Sequence, residues 1–510
     1  MNALLEALSR LGPQLADHVL LGASAIALGV AVALPLAVWA SRNAHVARIA
    51  LGFASLVQTI PALALLALFF PVLLALRAVF GEGLPTLGFL PALLALGLYA
   101  LLPILRNAVT ARANMDAGVL EAADAVGMTG TQKLRLVEAP LAAPYVMAGI
   151  RTASVWTIGA ATLATTIGQR SLGDPIFAGL QTQNWVLVLA GCIASAALAL
   201  VADGLFALVE RGLRTRRRVL VWIGLGLAAL GVLDAFASTR AAGRDSVVIG
   251  AKNFSEQFIL ARLIGQRLED AGYAVEYRQG LGSAVIHGAL TSGAVDVYVD
   301  YSGTLWANEM KRDTPIPRAE MIDAIVEWEA DTTGTLVMGP LGFENAYAFA
   351  IRPDVAARYG ITDLASLAAA SPRLTVGGDV EFFERPEWTG VRDSYGMDFA
   401  RIRSFQATFM YDALASGEAD VIAAFSSDGR IAADDLLVLP DPKGVLPGYD
   451  AMLLVSPTRA DDDRFTGALE PLLDAIGVEQ MRQANYSVDR TENNRTPAQA
   501  ATWLAGQLGD

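Results

Sequence analysis

The residue types that most often carry chemistry are scarce in this chain, and they are not grouped. Its 510 residues contain one cysteine, Cys192, in an apolar run, and three histidines, His18, His45 and His287, far apart in sequence. A single cysteine cannot form an intrachain disulfide, and no Cys-x-x-Cys or Cys/His cluster has the spacing of a metal site. There is no G-x-x-x-x-G-K-[ST] loop and no Gly-Lys dipeptide, so nothing can cradle a nucleotide phosphate in the P-loop manner. GLGSAV (280–285) has two glycines of a dinucleotide fingerprint but lacks the third, and reads as a helix start. No catalytic arrangement, metal or cofactor is therefore expected. The charged residues that stand out lie among apolar ones. Asp203 and Arg77 interrupt long hydrophobic runs, where an ionisable group is a functional candidate by default. The plainer readings, a helix–helix hydrogen bond for Asp203 and snorkelling for Arg77, are favoured. The largest polar island is EAADAVGMTGTQKLRLVEAP (121–140).

Long apolar elements must position these residues. Six stretches are candidates to span a bilayer: 19–40, 49–79, 87–105, 146–168, 185–209 and 219–237. Gln58, Thr59 and Pro61 interrupt the second, which is expected to be one tilted or kinked helix, with a span plus a re-entrant piece as the alternative. The first is longer than the apolar core of a cleavable signal. The run 151–168 is rich in Ala, Thr, Gly and Ser, a composition for close helix packing. Three loops are basic: Arg42 with Arg48, the region of Arg106, Arg112, Lys133 and Arg135, and Arg211–Arg218 with five arginines. With six crossings all three fall on one side, the cytoplasm by the positive-inside rule.

On that side, 121–140 resembles the EAA loop of the membrane subunits of ABC importers. Glu121, Ala122, Ala123, Gly127 and Pro140 sit at the family spacing, while Ala139 stands where the pattern has Leu. The resemblance implies a short helix-turn-helix that docks on a separate ATPase subunit, which uses ATP-Mg, and two copies of this chain with two ATPases. The lipid bilayer is the other expected partner, and nucleic acid is not one. A membrane-anchored receptor without transport is the competing class, and the EAA loop argues against it.

Charge divides the chain. Up to Arg240 there are 16 Lys+Arg against 11 Asp+Glu; beyond it there are 22 against 40, and the whole carries −13. The expected organisation is a membrane domain over 1–215 with five core spans, an anchor span and linker over 216–246, and a soluble α/β domain over 247–510. A short polar linker is expected at 237–246. VVIGAK (247–252), SEQFILARLIGQRLEDAG (255–272, with Ser255 as N-cap and Gly272 as stop), AVEYRQ, a helix near 283–291 and VDVYVDY (295–301) alternate as βαβαβ, which predicts a parallel sheet. A second set of strands occupies about 345–440, and AMLLVSP (451–457) with two helices returns. This predicts two lobes, 247–344 with 441–510 and 345–440, and a cleft for a ligand.

AKNFSEQ, VDVYVDYSGTL, GFENAYAFAIR, EFFERPEW, DVIAAFSSDGRI and LPGYDAM resemble, in that order, the periplasmic or lipid-anchored binding proteins for glycine betaine, choline, carnitine and related quaternary amines. Fusion of permease and binding domain is known in that family, and the resemblance implies an extracytoplasmic capture domain. A quaternary ammonium cannot donate a conventional N–H hydrogen bond, and aromatic faces suit it. Carried over motif by motif, the cage positions fall on Tyr301, Tyr347, Phe425 and Tyr449. Phe425 stands where many relatives have Tyr. Thr304 and Arg385 match positions at the ligand's polar end, where Arg385 could hold a carboxylate in two parallel hydrogen bonds or pair with Glu381 or Glu384. Asn345, Glu381 and Gln257 match nearby pocket positions.

Overall fold

The computed structural model describes residues 2–81, 84–181, 184–241, 246–312, 316–490 and 493–508. The chain divides into two compact units, one built on the helices up to residue 241 and the other on the strands from Ser246 onward.

The helical unit contains α1 (Gly12–Ala40), α2 (Ala44–Thr59), α3 (Ala62–Phe80), α4 (Phe89–Ala113), α5 (Ala139–Ala161), α6 (Trp185–Arg214) and α7 (Arg218–Ala241). α4 lies at its centre, against α1 and α5. Small residues permit the close approach: a Cβ on Gly29 of α1 would lie 2.8 Å from the Ala100 Cβ, and one on Gly149 of α5 would lie 2.8 Å from the Pro103 carbonyl oxygen.

Four helices, α1, α4, α6 and α7, are long and apolar enough to cross a membrane, or five crossings if α2 with α3 is one. The six apolar spans expected from sequence thus need two corrections. α2 and α3 are bent by 104°, so 49–79 is not a single kinked helix. Pro61 drives Ile60 into extended backbone (φ −75°, ψ 128°), which ends α2. The break is satisfied internally: the Tyr99 hydroxyl donates to the Ile60 carbonyl at 2.5 Å, and Gln58 Nε2 donates to the Tyr99 carbonyl at 3.3 Å. α5 is long enough, but its Arg, Pro, Ser, Thr and Gly residues keep it outside the apolar set. α7 also continues through 237–241, where a linker was expected; the rest of that stretch up to 245 lies outside the described residues.

Asp203 of α6 does bridge helices, but through a partner not singled out in the sequence. Arg151 of α5 donates to its two oxygens at 3.0 and 2.9 Å, and to Glu210 at 2.7 Å. Arg77 lies in the last turn of α3 and donates to the Leu84 carbonyl at 3.0 Å.

In the second unit the strands are β1 (Ser246–Lys252), β2 (Ala274–Leu281), β3 (Val297–Tyr301), β4 (Leu336–Glu344), β5 (Tyr347–Ile351), β6 (Thr375–Gly378), β7 (Arg401–Ser404), β8 (Val421–Phe425), β9 (Leu437–Leu439) and β10 (Asp450–Val455). They form two five-stranded sheets, ordered β2-β1-β3-β10-β4 and β7-β6-β8-β5-β9. The chain passes between sheets at 345–346 and again between β9 and β10. These two connections meet, since Asn345 N–H donates to the Tyr449 carbonyl at 2.8 Å.

The sheets are mixed rather than parallel. β1 pairs in parallel with β2 and β3, but β10 is antiparallel to β3 and β4, and β5 is antiparallel to β8 and β9. Strands that enter by crossing from the other lobe, or return from it, need not follow the βαβ handedness that keeps neighbours parallel. The helix Ser255–Asp270 buries Phe258, Ile259, Leu260, Leu263, Ile264 and Leu268 in the main core, each contributing about 1.5–3 kcal/mol. Ser255 is not its cap. Phe254 holds the N-cap position without a side-chain bond, and the Ser255 hydroxyl donates to Asp489 at 2.5 Å.

Candidate functional site

The aromatic residues named from sequence converge because strand register brings them together. Tyr347 opens β5 directly opposite Phe425, the last residue of β8. Their ring centroids are 5.0 Å apart. Tyr301 ends β3 opposite Ala451 of β10, which places Tyr449 just before β10 at the same sheet end. Tyr347 meets Tyr449 edge-on at 5.6 Å. Tyr301 joins the group through Phe254, stacked 6.1 Å from both Tyr301 and Phe425. Phe382 closes the other side, 4.8 Å from Tyr347. Phe254 and Phe382 were not singled out from sequence, although they lie within the AKNFSEQ and EFFERPEW motifs. The three tyrosines are buried and Phe425 is half-buried.

Gln257 and Asn345 lie at this cluster, with their amide nitrogens donating to protein groups and the buried Asn345 Oδ1 without a hydrogen-bond partner among the described residues. Gln257 Nε2 donates to the Tyr301 hydroxyl and to the Val299 carbonyl, both at 3.0 Å. Asn345 Nδ2 donates to Glu256 at 2.9 Å. Glu256, one residue before the position read from sequence, is the hub. Its Oε1 also accepts the Tyr301 hydroxyl at 2.6 Å, and its Oε2 accepts Ser427 at 2.5 Å and Asn485 at 2.9 Å. Burial pushes the Glu256 carboxyl up, against the pull of these four donors. Lys252 adds a buried pair with Asp300, and its ammonium lies 5.4 Å from the Tyr301 ring centre. Asp300 in turn accepts the Tyr301 N–H at 2.7 Å, which fixes the end of β3.

The polar end is built on Arg385, buried at the N-cap of the helix Pro386–Tyr395. Its guanidinium carbon lies 5.5 Å from the Tyr347 ring centre and 6.0 Å from that of Tyr449. Nη1 donates to the Tyr449 hydroxyl at 3.1 Å, and Nη2 donates to Glu381 at 2.5 Å and Thr304 at 3.4 Å. Tyr449 donates its own proton to Glu387. Of the two carboxylates considered in the sequence, Glu381 is thus a partner. Glu387, which was not considered, is also near, at 3.7 Å from Nη1. Burial pushes the Glu381 carboxyl up, but Arg385 and Lys252 overcome it and hold it below the usual range.

In the helical unit, 121–140 is a helix-turn-helix. Asp116 caps Ala117–Ala125, Gly127 turns the chain at φ +77°, and a capping box of Thr129 and Gln132 starts the next turn. That turn passes through one π-helical turn, Leu134–Glu138, into α5, and Pro140 sits in the first turn of α5. Glu121, Ala122, Gly127 and Pro140 are exposed and Ala123 is buried.

A helical unit bearing an exposed EAA-type turn, in one chain with two α/β lobes around an aromatic cluster and an arginine, defines an importer's permease joined to its solute-binding domain. The chain belongs to the ABC-type glycine betaine transport family. Residues 245–506 match the substrate-binding domain of ABC-type glycine betaine transport systems, and residues 25–215 match the inner membrane component of binding-protein-dependent transport systems. An ergothioneine transport permease/ergothioneine binding protein of Helicobacter pylori (strain G27) is 30% identical over 473 residues, 89% of this chain and 83% of that protein. A glycine betaine/carnitine/choline transport system permease protein of Bacillus subtilis (strain 168) is 39% identical over 215 residues, 41% of this chain and 94% of that one. A crystal structure titled as a glycine betaine/carnitine/choline ABC transporter is 28% identical, covers 51% of this chain and 98% of its own, and has a TM-score of 0.45.

Proposed function

We propose that this chain captures a carboxylate-bearing quaternary ammonium solute outside the cytoplasmic membrane and passes it through its helical unit, driven by a separate ATPase docked on 121–140. The observation that carries the reading is the aromatic cluster of Tyr301, Tyr347, Phe425 and Tyr449 with Arg385 and Thr304 at its edge. Aromatic faces attract a diffuse cation by about 0.5–2 kcal/mol each, and a guanidinium recognises a carboxylate. Glu381 belongs to that polar end. Gln257 and Asn345 act as positioning residues for Tyr301 and Glu256. The expected assembly is two copies of this chain with two ATPases, the basic loops inside and the two-lobed unit outside.

Among the solutes of this class, ergothioneine is a specific second reading. It is favoured by the Helicobacter pylori relative, whose similarity runs through both halves of this chain. Titration calorimetry of the purified full chain against glycine betaine, proline betaine, carnitine, choline and ergothioneine tests both. Heat with glycine betaine above that with choline supports the first reading, heat with ergothioneine alone supports the second, and no heat with any of the five removes both.

A further inference from the structure

Arg385 is the group expected to receive the solute's carboxylate, and it is already engaged. Its Nη2 donates to Glu381 at 2.5 Å, its Nη1 donates to Tyr449 at 3.1 Å, and Glu387 lies 3.7 Å from Nη1. Two carboxylates around one guanidinium give the polar end a charge of about −1. A zwitterion's carboxylate would meet like charge there, whereas a plain cation such as choline would not.

The two glutamates are not equivalent. The Glu387 side chain is 5% exposed and accepts the Tyr449 hydroxyl. The Glu381 side chain is 46% exposed and sits one turn before Arg385. Asn308 also donates to it, at 3.3 Å from the opposite lobe. The Glu381 carboxylate is half-exposed and can be solvated on leaving, whereas Arg385 is buried and needs a replacement anion, which an incoming carboxylate supplies. The Arg385 Nε, meanwhile, is buried with no hydrogen-bond partner among the described residues. Nε and Nη2 form one edge of the guanidinium, so release of Glu381 would open the side that binds a carboxylate through two parallel hydrogen bonds.

We propose that Glu381 is a resident anion: it occupies the Arg385 edge that a betaine carboxylate takes, and its displacement sets the selectivity between carboxylate-bearing and carboxylate-free quaternary amines. This rests on the reading of the site as a quaternary-amine site. A betaine binds by exchanging one carboxylate for another, with no net change in charge around Arg385. Choline binds with Glu381 in place and profits from its charge. Removing that charge therefore moves the two ligands apart.

The test is titration calorimetry of the full chain in lipid nanodiscs, wild type against Glu381→Gln, with glycine betaine and with choline. Glu381→Gln is expected to tighten glycine betaine by about fivefold or more, the equivalent of about 1 kcal/mol, and to leave choline equal or weaker. Asn308→Ala, which keeps the carboxylate but frees it, should shift the betaine-to-choline ratio the same way by a smaller factor. A wild type that binds both solutes while Glu381→Gln leaves their ratio unchanged or lowers it overturns this proposal alone. A wild type that binds neither solute overturns this proposal, and it overturns the reading of the site as well where proline betaine, carnitine and ergothioneine also give no heat.

Discussion

At the scale of single residues, the cluster separates rings that can touch a solute from groups that aim the rings. Tyr301 does both. Its ring belongs to the aromatic chain, while its hydroxyl donates to Glu256 and accepts from Gln257. Tyr301→Phe keeps the ring and should hold glycine betaine affinity within about threefold, whereas Tyr301→Ala should lose about tenfold or more. Calorimetry on the two variants checks this, and equal losses would move the contribution from the ring to the hydroxyl. Glu256 tests the other role. Removing it leaves four buried donors unanswered, so Glu256→Ala should destabilise the two-lobed unit by about 3 kcal/mol or more, read as a lower denaturation midpoint. Sequence motifs marked Gln257 and not Glu256, because a buried carboxylate is recognisable only from the donors that fold around it. Those donors, Tyr301, Asn345, Ser427 and Asn485, come from four separate stretches. Glu387 escaped notice for the same reason: its link to Tyr449 spans 62 positions.

At the scale of elements, what was legible was where strands and helices lie, and what was not legible was direction and angle. Hydrophobic runs marked strands near 247, 295 and 451, but a run does not encode whether its neighbour is parallel. Gln58, Thr59 and Pro61 marked an interruption, and the 104° turn there is accommodated by Tyr99 of α4, 39 positions from Ile60. His287, which has no motif around it, shows how elements behind the site are tied. It lies on the helix Ser283–Thr291, with Nε2 2.8 Å from Glu329 on the helix Arg318–Thr332 and Nδ1 3.3 Å from Glu309. Glu309 ends the turn that follows Thr304. Burial pushes the imidazole down, but the two glutamates win and raise it to about 10. A raised histidine stabilises the fold fully below its unfolded value of about 6.5 and loses that contribution as pH rises through the folded value. The melting-temperature advantage of the wild type over His287→Gln should therefore be largest below about pH 6.5 and shrink towards pH 10. An advantage that is flat over this window would mean that the imidazolium pairs contribute nothing.

At the scale of the whole molecule, the helix-turn-helix at 121–140 is the element proposed to act on a partner outside the chain. It presents Glu121 on its surface and leaves Val126 and Leu136 among the most exposed large apolar side chains, at 73% and 66%. Apolar groups on a charged turn suit a surface that another protein covers. The turn also joins rigid elements directly, for it runs through Leu134–Glu138 into α5, and Glu138 pairs with Arg112 of α4 at 3.2 Å. A push on the turn thus reaches the two helices at the centre of the unit. Since the sequence carries no P-loop, the purified chain alone should hydrolyse no ATP. In liposomes with the proposed partner ATPase, hydrolysis should rise when the bound solute is added. Glu121→Lys places a cation where the docking partner is expected to receive a carboxylate. It should abolish that rise while leaving solute affinity unchanged, because the proposed binding residues lie in the other unit. A Glu121→Lys chain that still shows solute-stimulated hydrolysis would place the coupling somewhere other than this turn, and one that loses solute affinity as well would point to a general loss of folding.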